Sequence, residues 1–264
     1  MISVDPWQRA LDERAAAWLA SLQRIRQAIY FSALMLVLVF SPSSYGRAYR
    51  PHLARHIYLG TAPNIAWLVL IGAVVCVVLI RIVQSSALSY GLAPHALELM
   101  IRLLVLELMP LLVAVYVALR CTLPFGEQVA HLRDPDLHTL RQEILPRILA
   151  GMFSVMALIA ISGVILLTLI YLASHGFSDA GLAAYNRLIA RVFDPSATLI
   201  FSLKSLSLCA VVALVPMLSN RFSGKAPTPH RPPTRNSSEE LQEMVQMFAL
   251  ILAIEVLSLV ATYY

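Results

Sequence analysis

Charged side chains are scarce in this sequence: only 13% of its residues are Asp, Glu, Lys or Arg, against 59% apolar. With a mean hydropathy of +0.73, that balance excludes an ordinary soluble globular domain, where about a quarter of the residues are charged. Cysteine is rare too. Cys76, Cys121 and Cys209 lie in or beside apolar stretches, and no two have the spacing of a disulfide framework or a metal site. They read as small packing residues. Several signatures of chemistry are missing altogether. No G-x-x-x-x-G-K-[ST] occurs, Ser223-Gly224-Lys225 being only a fragment, so ATP binding through a P-loop is excluded. Neither a G-x-S-x-G elbow nor H-E-x-x-H is present. His131 and His138 are too far apart for a helical metal pair. Catalysis within the chain is therefore not expected, and neither is a cofactor of its own.

Long apolar runs are what the sequence has in abundance. Several extend about 20 residues almost without charge, enough to cross a hydrocarbon core of roughly 30 Å at about 1.5 Å per residue. An unpaired backbone group in that core costs several kcal/mol, which makes the helix the spanning form. Short segments of alternating polarity, as a barrel requires, do not appear. The expected fold class is an all-α integral membrane protein, with five transmembrane helices preceded by an amphipathic interfacial helix. The spans fall at about 62–83, 96–120, 147–174, 197–219 and 240–262. Pro63 stands at a first-turn position of the first, and Ser237 with Glu240 has capping-box spacing at the last.

Ahead of these spans, residues 1–55 form a separate amino-terminal region, with the five-span domain over 56–264. Within 7–28, Trp7, Leu11, Trp18, Leu22, Ile25 and Ile29 share one helical face. Arg9, Asp12, Glu13, Gln23 and Arg24 occupy the others, the pattern of a helix lying among lipid headgroups. Residues 29–40 are apolar but too few to span, and read as an interfacial or re-entrant element. Residues 178–193 suit a short surface helix, and the proline-rich stretch 224–236 reads as a linker.

The net charge of +5 is not gathered into a groove-sized patch, so nucleic acid is not an expected partner. The basic residues instead alternate between loops. Residues 1–61 hold seven Arg, 84–95 none, 120–147 four, 175–196 two, and 220–239 four Lys or Arg. One side thus carries fifteen and the other two, which orients the amino terminus to the cytoplasm and the carboxyl terminus outside.

A few charges interrupt the apolar helices, where each is a functional candidate by default. Glu98 and Arg102, four apart, read as a headgroup-level ion pair, and Arg81 can snorkel to the surface. Glu107 lies about eleven residues, roughly 16 Å, into the second span, and Pro110 loosens the helix beside it. Glu107 then either faces a cavity or makes a helix–helix hydrogen bond. Lys204 is roughly 10 Å below the outer surface and Glu255 roughly 12 Å below it. An intramembrane ion pair between them is expected.

These residues also carry a likeness. Leu106-Glu107-Leu108-Met109-Pro110 followed by LLVAVYVALR is similar to an R-E-L-G-P and the A-G-R after it, with Glu107, Pro110 and Arg120 in matching places. Glu127 falls where an acidic residue follows that arginine. Pro146-Arg147-Ile148-Leu149-Ala150 matches P-R-x-x-A, Lys204-Ser205 matches K-S, and Glu255 takes the place of an aspartate. From His56 onward the chain resembles the MlaE/YrbE-type permeases, membrane subunits of bacterial lipid transporters that work with MCE proteins. It departs from them at Leu106 (for arginine), at Met109 (for glycine), in a shorter stretch between Arg133 and Arg147, and in the proline-rich 224–236.

The resemblance implies a permease subunit of an ABC-type transporter in the bacterial inner membrane, moving phospholipids or similar hydrophobic molecules. It implies pairing with itself or a second permease, cytoplasmic ATP-binding subunits that carry out ATP hydrolysis, a periplasmic MCE-domain protein, and membrane lipids as ligands. Glu107, Pro110 and Arg120 become candidates for the substrate cavity, and Glu127, Arg133, Arg141 and Arg147 for the ATPase-coupling region. The alternative is a non-transporting partner or assembly subunit, favoured by the short 133–147 stretch and disfavoured by the retained Glu107, Arg120, Lys204 and Glu255.

Overall fold

The computed structural model describes residues 26, 29–39, 41, 50–91, 95–122, 144–222 and 237–263. All the regular structure described is helical. Helix α1 is Ile29–Val39, and α2 is Arg50–Ser89. The next stretch is composite: α3 (Ala96–Met100), a π segment (Ile101–Leu108), α4 (Met109–Val117) and a second π segment (Ala118–Thr122). Then come α5 (Leu145–His175), a 3-10 turn (Asp179–Gly181), α6 (Leu182–Val192), α7 (Pro195–Phe222) and α8 (Ser237–Tyr263).

Five helical stretches are long and apolar enough to cross a membrane: Ala54–Ala87, Ala96–Arg120, Leu145–His175, Pro195–Pro216 and Met244–Thr262. The chain is a multi-pass membrane protein. Helix α1 is apolar but, at about 1.5 Å per residue, only roughly 16 Å long, short of a crossing. The first helix differs from the sequence expectation, because it begins at Arg50 and carries Pro63 in its interior. Proline removes one donor and so leaves one carbonyl, that of Leu59, without its helical partner. That single loss does not outweigh the backbone bonds gained by continuing the helix. Apart from residue 26, the amphipathic helix expected over 7–28 lies outside the described residues, as do the linker at 224–236 and Glu127, Arg133 and Arg141.

Local chemistry sets the helix ends. Asp194 caps α7: its Oδ1 accepts the Ala197 N–H at 2.6 Å and the Ser196 hydroxyl at 3.0 Å. Pro195 follows at the first helical position, where a missing N–H goes unneeded. The Ala197 N–H, then the Ser196 hydroxyl, hold the Asp194 carboxyl below the usual carboxylate range. At the far end of α5, Gly176 adopts φ 66 and its N–H reaches Leu172 O at 2.9 Å. Left-handed backbone of this kind is cheap only for glycine.

The spans pack around the second. Helix α2 lies along α5, α5 along α7 and α7 along α8, while α4 touches all four. Within the protein, 61% of the second span's apolar window is buried, against 22% for the first and the fifth. Trp67, Val74 and Val78 of α2 and Leu252, Val256 and Leu257 of α8 are exposed, as suits surfaces that meet lipid. Lipid tails are as apolar as these side chains, so close packing and interhelical hydrogen bonds hold the helices together. A Cβ on Gly72 would sit 3.0 Å from Met109 Cε, which marks the close approach of α2 to the second span. Thr61 and Ser154 join α2 to α5 at 2.9 Å, and Tyr116 donates to Asn64 Oδ1 at 3.4 Å.

The interior divides into two apolar clusters. One gathers Phe31, Met35, Leu68, Val113, Leu208 and Met247. The other gathers Ile80, Met100, Leu104, Leu166, Ile170 and Tyr185, with α6 closing its end. Tyr185 donates to Leu167 O at 2.7 Å, and burial pushes its phenol up to about 12.

Candidate functional site

The site begins with a proline. In a regular helix the N–H of residue 110 would bond to the carbonyl four residues earlier, that of Leu106, but Pro110 has none to give. The backbone before it is also loosened. Residues 101–108 form a π segment, and the Met109 N–H reaches back five residues to Leu104 O. Such wide turns recur at functional positions in helices. The Leu106 carbonyl accepts a donor from another helix: Lys204 Nζ on α7, 3.2 Å away.

Lys204 does more than bond that carbonyl. Its Nζ lies 2.5 Å from Glu107 Oε2 and 2.7 Å from Glu255 Oε1, and 3.5 Å from the Glu107 carbonyl. An ammonium has three N–H donors, so two carboxylates and the Leu106 carbonyl use all of them. The cluster is deeply buried, with Lys204 3%, Glu107 6% and Glu255 8% exposed. It stands at the seam between the two apolar clusters. On the second span Leu106 belongs to one and Val113 to the other, and on α7 Ala197 and Leu208 are divided likewise. Three spans are thereby tied to one nitrogen.

The structure brings Lys204 and Glu255 together and adds Glu107 to them, with Pro110 buried beside it. Arg120 is elsewhere, exposed in the second π segment. Arg147 is half-buried at the start of α5, and its Nη1 is shielded from solvent without a hydrogen-bond partner. Glu98 and Arg102 form a part-exposed ion pair at 3.3 Å. Sequence reasoning did not single out the Leu106 carbonyl as a ligand of Lys204, nor Ser258. The hydroxyls of Ser205 and Ser258 are buried and unpartnered, on the two helices that carry Lys204 and Glu255. The signal available for Ser258 was a polar residue inside an apolar run. The Leu106 carbonyl has a subtler one, its position four residues before a proline.

A narrow cleft between α2, the second span and α5 is lined by Gly72, Cys76, Met109, Ser162 and Leu166. It has room for roughly one water molecule, not for a lipid.

The model of the family described as Permease MlaE matches residues 53–261, a stretch that contains all three members of the cluster and reaches into all five spans. No curated protein matches the chain.

Proposed function

This chain belongs to the MlaE permease family, and from that premise we propose that it is the membrane subunit of an ABC-type transporter moving phospholipids or similar hydrophobic molecules. Its energy comes from ATP hydrolysed on separate cytoplasmic subunits, and it contains no cofactor. The observation that carries this reading is the family match across the whole five-span frame, Glu107, Lys204 and Glu255 included.

In this reading the protein sits in a bacterial inner membrane with its amino terminus in the cytoplasm, as the fifteen-to-two division of basic residues supports. An MCE-domain protein docks on the opposite side. The interior of one copy is well packed around the charge cluster, and the cleft beside Met109 is far too small for a lipid. The substrate cavity is therefore completed by a second permease copy, with the region of Glu107 and Pro110 behind its wall, Arg120 at its cytoplasmic rim, and Arg147 together with Glu127, Arg133 and Arg141 near the ATPase.

A second reading, a non-transporting partner or assembly subunit, is favoured by the short stretch between Arg133 and Arg147. Affinity purification of the tagged chain from its native membranes in mild detergent separates the two, with co-eluting proteins and lipids identified by mass spectrometry. Transport predicts an ATPase, an MCE protein and stoichiometric phospholipid. Recovery with a second, complete permease, or with no ATPase, would transfer the assignment to the partner role.

A further inference from the structure

The buried cluster does not balance as drawn. Two carboxylates and one ammonium sum to one net negative charge, in a place where an uncompensated charge is strongly disfavoured. Among the described residues, no neighbouring group supplies the missing positive charge. Between Arg147 and His175, α5 carries no acidic or basic side chain, and neither does α2 between Tyr58 and Arg81. On the second span Glu98 and Arg102 neutralise one another. Lys204 is the one charged residue of Pro195–Pro216, and Glu255 that of Met244–Thr262. The remaining titratable side chains of these packed stretches, Cys76, Tyr116, Tyr171 and Cys209, are thiols and phenols that bring no positive charge.

The hydrogen bonding is incomplete at the same spot. Lys204 spends its three donors on Glu107 Oε2, Glu255 Oε1 and Leu106 O. Glu255 Oε2 is buried and has no donor. The Glu107 and Glu255 carboxyls converge on the same nitrogen, Oε2 of one at 2.5 Å and Oε1 of the other at 2.7 Å from Lys204 Nζ; two carboxylates held this close repel, whereas a carboxylic acid and a carboxylate can share a proton.

We propose that the Glu107–Lys204–Glu255 cluster is a binding site for a single proton, held on Glu255 Oε2 and shared with the Glu107 carboxylate. The bound proton makes the cluster neutral, turns the unpartnered Glu255 Oε2 into a donor and lets the two carboxyls hydrogen-bond to one another. With one proton between two acids, the cluster is neutral when the proton is bound and carries one negative charge when it is absent. This inference goes beyond the transport reading and does not depend on which molecule is moved.

Infrared spectroscopy of the whole protein in phosphatidylcholine vesicles at neutral pH tests it. The wild type should show a protonated-carboxyl C=O stretch that shifts on exchange into deuterium oxide. The band should vanish in Glu255→Gln. It should vanish also in Glu107→Gln, where Lys204 is left with one carboxylate and the proton is released, and this second variant serves if the first fails to fold. A wild type without such a band, or a band that persists in either folded variant, overturns the proposal.

Discussion

The first span has a mean hydropathy of 2.8 over its most apolar window and buries 22% of it, while the second has 2.2 and buries 61%. Ranked by apolar content the first is the better transmembrane helix, yet the second is the one around which the others pack. The first is a regular helix facing lipid along much of its length. The second is broken into α and π segments and contains Glu107 and Pro110. In a bilayer the outside of the protein is as apolar as the inside, so hydropathy locates a helix without saying which way it faces. A charge in the run does say so, because it must be turned inward.

The sharpest way to break this contrast is to remove the shared ammonium. Lys204→Met strands Glu107 and Glu255 without their counter-ion, and we expect a loss of about 3–5 kcal/mol, read as a lowered melting temperature in detergent. Adding Glu107→Gln should restore part of that loss, because one buried acid is then easily kept neutral. Strict additivity of the two substitutions would show that they do not interact. Next in size is Gly72→Leu. Its side chain must displace Met109, against which a bare Cβ already sits at 3.0 Å, for a loss of about 1–3 kcal/mol.

Asp194→Ala should have a smaller effect, at the rim of the bundle, by removing the cap of α7. Because the folded protein holds the Asp194 carboxyl below its usual range, the cap contributes fully above the ordinary value of about 3.9 and is lost as pH falls below it. Wild type and variant should therefore differ by a constant amount from neutral pH to about 5 and converge in stronger acid. The smallest effect belongs to the first span's lipid face, where Val74→Ala or Val78→Ala should change stability by about 0.5 kcal/mol or less. A large loss there would mean that this face is covered by protein.

The same contrast marks how far the sequence could be read. Five spans were legible because about 20 apolar residues in a row have few other uses, and each falls within a continuous helical stretch. The short helix near residues 178–193 was legible too, and appears as α6. The start of the first helix was not, since a proline at residue 63 looks like an opening and is tolerated in the interior. Lys204 and Glu255 could be matched because both were measured from the same surface. Glu107 was placed roughly 16 Å deep at about 1.5 Å per residue, apart from the other two. That rise holds for an α-helix, whereas a π segment fits more residues into each turn, so counting at the α-helical rise overstates the depth of Glu107. Periodicity in the sequence does not announce a π segment. The proline that denies Leu106 its α-helical donor was visible, but the lysine that reaches that carbonyl depended on which helix stood opposite.

The placement of two cysteines has a practical consequence. Cys76 is sealed in one apolar cluster and Cys209 in the other, so each half of the bundle contains its own thiol. In a Cys121→Ser background, the rates at which a maleimide reaches these two positions would time the opening of each half separately. The seam can then be watched from both sides during a transport cycle without introducing a new cysteine.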